Sequence, residues 1–240
     1  MNKEFARTLL NQASDPFRKS GRFAYHYARG KLSSDPIFRE ILRRELLPAK
    51  GQFLDLGCGQ GSLFAWLLAA RKLFESGNWP TEWPVPPAPS NLRGIELMQK
   101  DVDRAGRAFG FDHPLVNIGQ GDMTAADFGQ VDAITVLDAL HYIDPGGQAD
   151  VLRRIRAALP PGGLFLTRVG DASAGLPYRL CNWVDHTVTF VRGHRLPRLY
   201  CRRLADWVSL IEGLGFTVES GPIRDGKPFA NVMLVCRVLA

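Results

Sequence analysis

The sequence predicts an α/β fold: an open, seven-stranded, mostly parallel sheet with helices on both faces, closed by an antiparallel hairpin. Three observations carry this. Apolar runs of strand length alternate with amphipathic stretches of helical period from about residue 51 onward, the pattern of a doubly wound sheet. The first run, "QFLDL", enters a turn with glycine at every second position, Gly57, Gly59 and Gly61, and leaves it as an apolar helix. The last two runs, "TVESGPI" and "NVMLVCRVL", are joined only by "RDGKPFA". That link is too short for a crossover, so one of the two strands must run antiparallel.

The elements follow in order. Residues 1–50 read as short helices forming an N-terminal helical cover, with a core domain over 51–240. Asp15-Pro16 and Asp35-Pro36 look like N-cap plus first-turn pairs, where the missing proline N–H costs nothing. After the glycine turn, "SLFAWLLAARKLF" is a helix. "NWPTEWPVPPAPSNL" (78–92) carries too many prolines for a helix or a central strand. It reads as an inserted, partly extended loop, either a surface excursion or a lid, that could reshape the pocket rim. "LRGIEL" is the next strand, "MQKDVDRAGRAFG" a helix, "PLVNIGQGDM" and "VDAITVLDAL" hold two more strands, "GQADVLRRIRAAL" is an amphipathic helix, and "LFLTRV" is the fifth strand. "PYRLCNWVDHTVTFVRG" and "RLADWVSLIEGLGF" read as helices before the closing pair.

Composition bounds the function. The chain of 240 residues suits one large domain, and 45% apolar with 22% charged residues is ordinary for a soluble globular protein. No apolar run approaches the roughly twenty residues of a membrane span. The N-terminus lacks a secretion signal, and the four cysteines, Cys58, Cys181, Cys201 and Cys236, show no C-x-x-C or zinc spacing. These features predict a cytoplasmic protein with reduced thiols and no metal. The net charge of +6 draws on "VRGHRLPRLYCRR" (191–203), either a solvated surface or a contact for an acidic partner.

The glycine turn can admit any nucleotide, since glycine reaches φ > 0 and puts no Cβ in a ligand's way. A dinucleotide fingerprint needs a glycine where Ser62 stands, and no Gly-Lys-Ser/Thr follows for a phosphate loop. The discriminating residue is Asp55. A carboxylate beside a pyrophosphate repels it, whereas beside an ammonium or sulfonium it attracts.

With "LDLGCGQGS" first, "GIEL" second, "QGDM" third, "VLDALHYID" fourth and "LPPGGLFLTRV" closing, residues 53–169 resemble the class I S-adenosylmethionine-dependent methyltransferases. The resemblance implies the Rossmann-like fold of that family and S-adenosylmethionine as cofactor. It implies that Gly57, Gly59 and Gly61 line the methionine and ribose portion with Asp55 nearby. Glu96, followed by Leu97, would take both ribose hydroxyls. Asp122 would accept from the adenine amino group, with Met123 on the ring. Asp138 or its backbone would lie near the cofactor's amino group. Asp55 and Glu96 stand about twice as far apart as the ~20 residues usual in a dinucleotide fold, and the proline-rich insertion supplies the difference. Each residue also has a plain reading: packing glycines, a surface acid at 96, a turn former at 122, core at 123, and a buried filler at Cys58.

The acceptor is the weakest signal. The fourth motif lacks the Asn/Asp-Pro-Pro-aromatic of enzymes acting on base amines, and no Pro-Cys nucleophile exists, so nucleic acid is not expected. "ALHYID" looks like the small-molecule branch. It makes His141 the first candidate base, with Tyr142 beside it and His186 second; each also fits as a packing or surface residue. "RFAYHYARGKLSSDP" offers Phe23, Tyr25, His26 and Tyr27 with Arg29 and Lys31, either a clamp for a flat acidic acceptor or a capping helix without chemistry. A narrower resemblance joins "FAYHYARGKLSSDPIF" and "LDLGCGQG" to methyltransferases of bacterial aryl-polyene pigment clusters. It implies a phenolic or aryl acceptor presented by an acyl carrier protein. An RNA methyltransferase and a non-catalytic cofactor-binding partner subunit remain as alternatives.

Overall fold

The computed structural model describes residues 3–173, 199–222 and 231–239. Its sheet has seven strands in the order β3-β2-β1-β4-β5-β7-β6. The strands are β1 (Lys50–Leu56), β2 (Ala88–Glu96), β3 (Val116–Gln120), β4 (Ala133–Leu137), β5 (Leu164–Gly170), β6 (Phe216–Pro222) and β7 (Asn231–Val238). The expected closing hairpin is present. β7 is its reversed member, antiparallel to both β6 and β5.

The helices are α1 (Lys3–Ser14), α2 (Arg22–Ser34), α3 (Pro36–Arg43), α4 (Ser62–Glu75), α5 (Gln99–Phe109), α6 (Pro145–Ala158) and α7 (Leu204–Glu212). Among the described residues, no helix is long and apolar enough to cross a membrane. The stretch 177–193, expected as a helix, lies outside the described residues.

The chain divides into two compact units, Met1–Asp127 with Val131–Ala133, and Phe128–Gln130 with Ile134–Ala240. In the first, β1 pairs in parallel with β2, and β2 with β3. Phe53, Leu54, Asp55 and Leu56 are all buried, as a strand covered on both faces requires.

The N-terminal helices pack into this unit. Phe17, Ala24 and Ala28 share an apolar cluster with Ala65 of α4 and Ala108 of α5. Small residues let the helices approach closely, and Phe17 fills the remaining gap. Trp66 donates its indole N–H to the Phe38 carbonyl at 2.8 Å, tying α4 to α3. Asp35 caps α3 as its sequence predicts, accepting from the Ile37 N–H. Asp15-Pro16 does not cap a helix. α1 runs to Ser14 and tightens into a 3₁₀ turn, Asp15–Ser20, and Asp15 pairs with Arg18 instead.

The proline-rich segment corrects its sequence reading twice. Its last residues belong to β2, which begins at Ala88; Pro89 stands opposite Gly51 at a register shift, a site where proline costs a sheet little. The remainder also stands away from the glycine turn. Because Lys50 pairs with Ala88, the insertion enters at the amino end of β1, about 20 Å along the strand from its carboxyl end. There Trp79 and Trp83 pack edge-on to each other and to Phe5 of α1. The insertion braces a helix and does not shape a pocket rim.

One glycine in β2 has a packing duty. A Cβ on Gly94 would lie 2.6 Å from Cys58 Sγ and 2.9 Å from Ile118 Cγ1. Gly94→Ala is expected to cost about 1–3 kcal/mol by overpacking, read as a lower urea midpoint, and Cys58→Ala in the same chain to recover part of it.

In the second unit, Val151, Leu152 and Ile155 of α6, Leu164 and Phe165 of β5, and Trp207 and Ile211 of α7 are buried together with Leu234 and Cys236 of β7. Asp144 caps α6 by accepting from the Gly147 N–H at 2.9 Å.

Candidate functional site

In the first unit, the turn after β1 has left-handed φ at all three glycines: 72° at Gly57, 58° at Gly59 and 83° at Gly61. Such values strain any residue with a Cβ. A Cβ on Gly61 would also strike Ile118 and Phe109 at 2.8 Å, so this glycine sets how closely α4 seats on its neighbours.

Four N–H groups of the turn are spent internally. Gly57 and Cys58 donate to the Ile95 carbonyl, and Gly61 donates to Cys58. Gly59 donates to Glu96 Oε2 at 2.7 Å. A phosphate-binding turn presents its N–H groups to the ligand; these four are turned inward.

Glu96 is 6% exposed at the end of β2. Its second oxygen, Oε1, accepts from the Met98 N–H at 2.9 Å, so the carboxylate clasps the glycine turn to the start of α5. Each carboxylate oxygen carries two acceptor sites, so an acceptor site remains on both. Asp55 is buried on β1 at 4% exposure. Burial pushes the Cys58 thiol well up, and the Asp55 and Glu96 charges push it further. Cys58 is a packed, inert thiol.

Asp122 is exposed, and its Oδ1 accepts from both the N–H and the hydroxyl of Thr124. It shapes the turn that follows β3 and keeps Oδ2 for another donor. Met123 is half-buried, and Leu97 lies 59% exposed. Gln60, which the sequence reading did not single out, is buried within the turn and donates to the Ala24 carbonyl of α2 at 2.9 Å.

Several polar groups of the N-terminal piece are occupied with each other. Arg29 donates to Asn11 and Ser14 of α1. Arg18 bonds the Tyr25 hydroxyl and lies over its ring. Phe23 stacks on Tyr27, and Arg104 lies over Phe23.

In the second unit, Asp138 ends β4 with φ 60°, an uncommon left-handed value for a residue with a side chain. Its carboxylate meets Arg168 of β5 in a fork: Nε donates to Oδ1 at 2.6 Å, and Nη2 pairs with Oδ2. The Arg168 side chain is 7% exposed. The Asp138 charge is thus answered by Arg168. Arg168 also went unnoticed in the sequence, although a cation inside the apolar strand "LFLTRV" was a visible signal.

His141 is buried in the 3₁₀ turn Leu140–Tyr142, and Tyr142 stands beside it 41% exposed, ring centroids 4.3 Å apart. Burial lowers the His141 pKa; the Asp138 charge opposes this, and the Arg168 charge adds to it. The folded state therefore holds the imidazole neutral in the pH window just below ~6.5, where the unfolded chain already takes up a proton. Stability is full above that window and is lost as pH falls through it. Urea midpoints are expected to drop between pH 7.5 and 5.5, and His141→Gln to flatten that part of the slope.

His186 lies outside the described residues, as does 191–198 of the basic stretch. Of the remainder, Arg202 points inward, its Nε donating to Gln148 at 2.7 Å. Among the described residues, no group of three or more His, Cys, Asp or Glu could hold a metal.

An open α/β sheet with a closing antiparallel strand, a glycine turn that spends its N–H groups internally and a carboxylate at the end of β2 define the class I methyltransferase fold. The chain belongs to the methyltransferase domain family, which matches residues 25–220. Solved structures share the fold at low identity. A chain of the Haloferax volcanii complex between the Trm112 methyltransferase activator and a methyltransferase is 16% identical with a TM-score of 0.64, over 89% of this chain and 93% of that one. Magnesium protoporphyrin IX methyltransferase from Synechocystis, solved with S-adenosylhomocysteine, is 14% identical with a TM-score of 0.56, over 90% and 88%. Human N-acetylserotonin methyltransferase with bound S-adenosylmethionine is 13% identical with a TM-score of 0.59, over 100% and 60%. A carboxy-S-adenosyl-L-methionine synthase from Chromohalobacter salexigens is 29% identical over 114 residues, 47% of this chain, and the match spans 37% of that relative's length.

Proposed function

We propose that this protein transfers a methyl group from S-adenosylmethionine to a small-molecule acceptor. The observation that carries the reading is the Glu96 clasp. A buried carboxylate holds Gly59 and Met98 and keeps acceptor sites for a pair of adjacent hydroxyls, in a turn that offers those four N–H groups to no phosphate. These residues fit an adenosine cofactor bearing positive charge.

When bound, S-adenosylmethionine supplies a methyl group activated by its sulfonium. Glu96 would hold the ribose hydroxyls, and the buried Asp55 would favour the cationic end over a phosphate. Asp122 would receive the adenine amino group on Oδ2, with Met123 against the ring. His141, held neutral, would take the proton of an acceptor hydroxyl on a ring nitrogen, with Tyr142 as its exposed neighbour.

The acceptor we favour is a phenolic or aryl group. The histidine–tyrosine pair supports it, and two of the fold relatives are named for small acceptors, a porphyrin and N-acetylserotonin. Presentation by an acyl carrier protein rests on the basic stretch at 191–203. We place the protein in the cytoplasm, in keeping with its unpatterned cysteines.

Calorimetric titration with S-adenosylhomocysteine and, separately, NADH tests the cofactor. Micromolar binding of the first alone is expected; binding of NADH alone would overturn the reading. S-adenosylhomocysteine release with a panel of phenolic acids then tests the acceptor. With a turned-over acceptor, His141→Ala is expected to lower kcat and leave S-adenosylhomocysteine affinity within about twofold; an equal loss in both would make it a cofactor residue.

A further inference from the structure

The turn that carries His141 is held by a residue outside it. Within the turn, backbone bonds run from Tyr142 to Ala139 and from Ile143 to Leu140. Gln148, a fully buried residue of α6, adds to the hold. Its Nε2 shares its two hydrogens among the Leu140 carbonyl at 3.1 Å, the Ile143 carbonyl at 3.0 Å and the Tyr200 carbonyl at 2.7 Å. Tyr200 in turn donates its N–H to the His141 carbonyl at 2.8 Å.

The other end of the amide is fixed as well. Arg202 donates from Nε to Gln148 Oε1 at 2.7 Å and from Nη2 to the Pro145 carbonyl at 2.9 Å. Its guanidinium lies over the Trp207 ring. Arginine only donates, so Oε1 must face it, and the NH₂ must face the three carbonyls. The amide has one possible orientation. Glutamate at this position would set a carboxylate against three carbonyls. Methionine would leave those carbonyls and Arg202 without this partner.

A buried amide is an expensive core filler, since each polar atom must recover what it loses by leaving water. The other inward positions of α6, Val151, Leu152 and Ile155, are apolar. What the amide adds is geometry at one place, the turn that begins with the left-handed Asp138 and presents His141 and Tyr142. Strained backbone of this kind persists only where its surroundings over-determine it.

We propose that Gln148 is the positioning residue for the His141 turn: its amide clasps Leu140–Ile143 to Tyr200 and thereby fixes where His141 and Tyr142 stand. The inference rests on the role given to His141 above. The groups around that imidazole are Asp138 of its own turn, Arg168 of β5, Tyr142 beside it, and Cys201 and Trp207, which line the same closed cleft.

The test uses the full chain, isotope-labelled, as Gln148→Met and Gln148→Glu beside the parent. Three quantities are read: amide exchange at Tyr142, Ile143 and Tyr200, the imidazole titration of His141 by NMR, and S-adenosylhomocysteine binding by calorimetry. Both variants are expected to exchange at least about tenfold faster at those amides, with Gly57 exchange unchanged. The His141 midpoint is expected to rise toward the ordinary ~6.5, and S-adenosylhomocysteine affinity to stay within about twofold. A folded Gln148→Met with an unmoved His141 midpoint and unmoved Tyr200 exchange would overturn the proposal. Should neither variant fold, Arg202→Met keeps the amide and removes what orients it. The same changes, smaller, are then expected, and none at all would equally overturn it. Failure of the parent to bind S-adenosylhomocysteine would sink the methyl-transfer reading while leaving the exchange and titration results intact.

Discussion

Arg168→Met is expected to destabilise the protein by about 3 kcal/mol, the cost of stranding one member of a buried ion pair. Arg168 is 7% exposed and grips Asp138 through two nitrogens. Without it, a carboxylate whose side chain is 28% exposed is left at a backbone of φ 60° without its two-point cation. Arg168→Lys keeps the charge but replaces the planar fork with a point charge, so it is expected to recover only part of the loss. Asp138→Asn in the Arg168→Met background should recover more than it costs alone, because the stranded charge is gone. Urea denaturation of the parent, the three single variants and the double variant measures all of this. A loss under about 1 kcal/mol for Arg168→Met would put the pair in the class of surface bridges.

Glu96→Ala has the second large effect, and it should appear in two readouts. Losing the hydrogen bonds of a charged group is expected to cost about 1.5–3 kcal/mol in all, so S-adenosylhomocysteine affinity is expected to fall roughly ten- to hundredfold. The melting temperature of the free protein should fall too, because the Gly59 and Met98 N–H groups lose the carboxylate they share. Glu96→Gln keeps one acceptor oxygen and opposes the other N–H with a donor, so it should fall between the two. The readouts are separable. Unchanged affinity with a lowered melting temperature would make Glu96 a structural clasp alone and end its ribose role.

Local signals in this sequence were legible and distant ones were not. Gly57, Gly59 and Gly61 announce a left-handed turn because no other residue type adopts such backbone without strain. The hairpin was legible because seven residues cannot cross a sheet. Pro89 misled, since proline is excluded from a strand interior but tolerated where the register shifts against Gly51. Asp15-Pro16 misled because the same pair suits a 3₁₀ turn as well as a cap. The site splits along the same line. Glu96 was placed as the last residue of "GIE", but its bonds to Gly59 and Met98 depend on how β2 ends beside the turn. Gln148 falls on the apolar face of α6, three and four residues before Val151 and Leu152, so its oddity was readable. Its partner Tyr200 stands 52 residues away, and no periodicity reports such a pairing.

The aromatic brace at the amino end of β1 has an optical consequence. Trp79 and Trp83 are intrinsic fluorophores, and both pack against Phe5 of α1; Trp83 is only 9% exposed. Lifting α1 away would admit water to both indoles and shift their emission to the red. The chain thus carries its own reporter on the docking of its first helix, some 20 Å along β1 from the glycine turn, where a ligand in the turn would not quench it by contact.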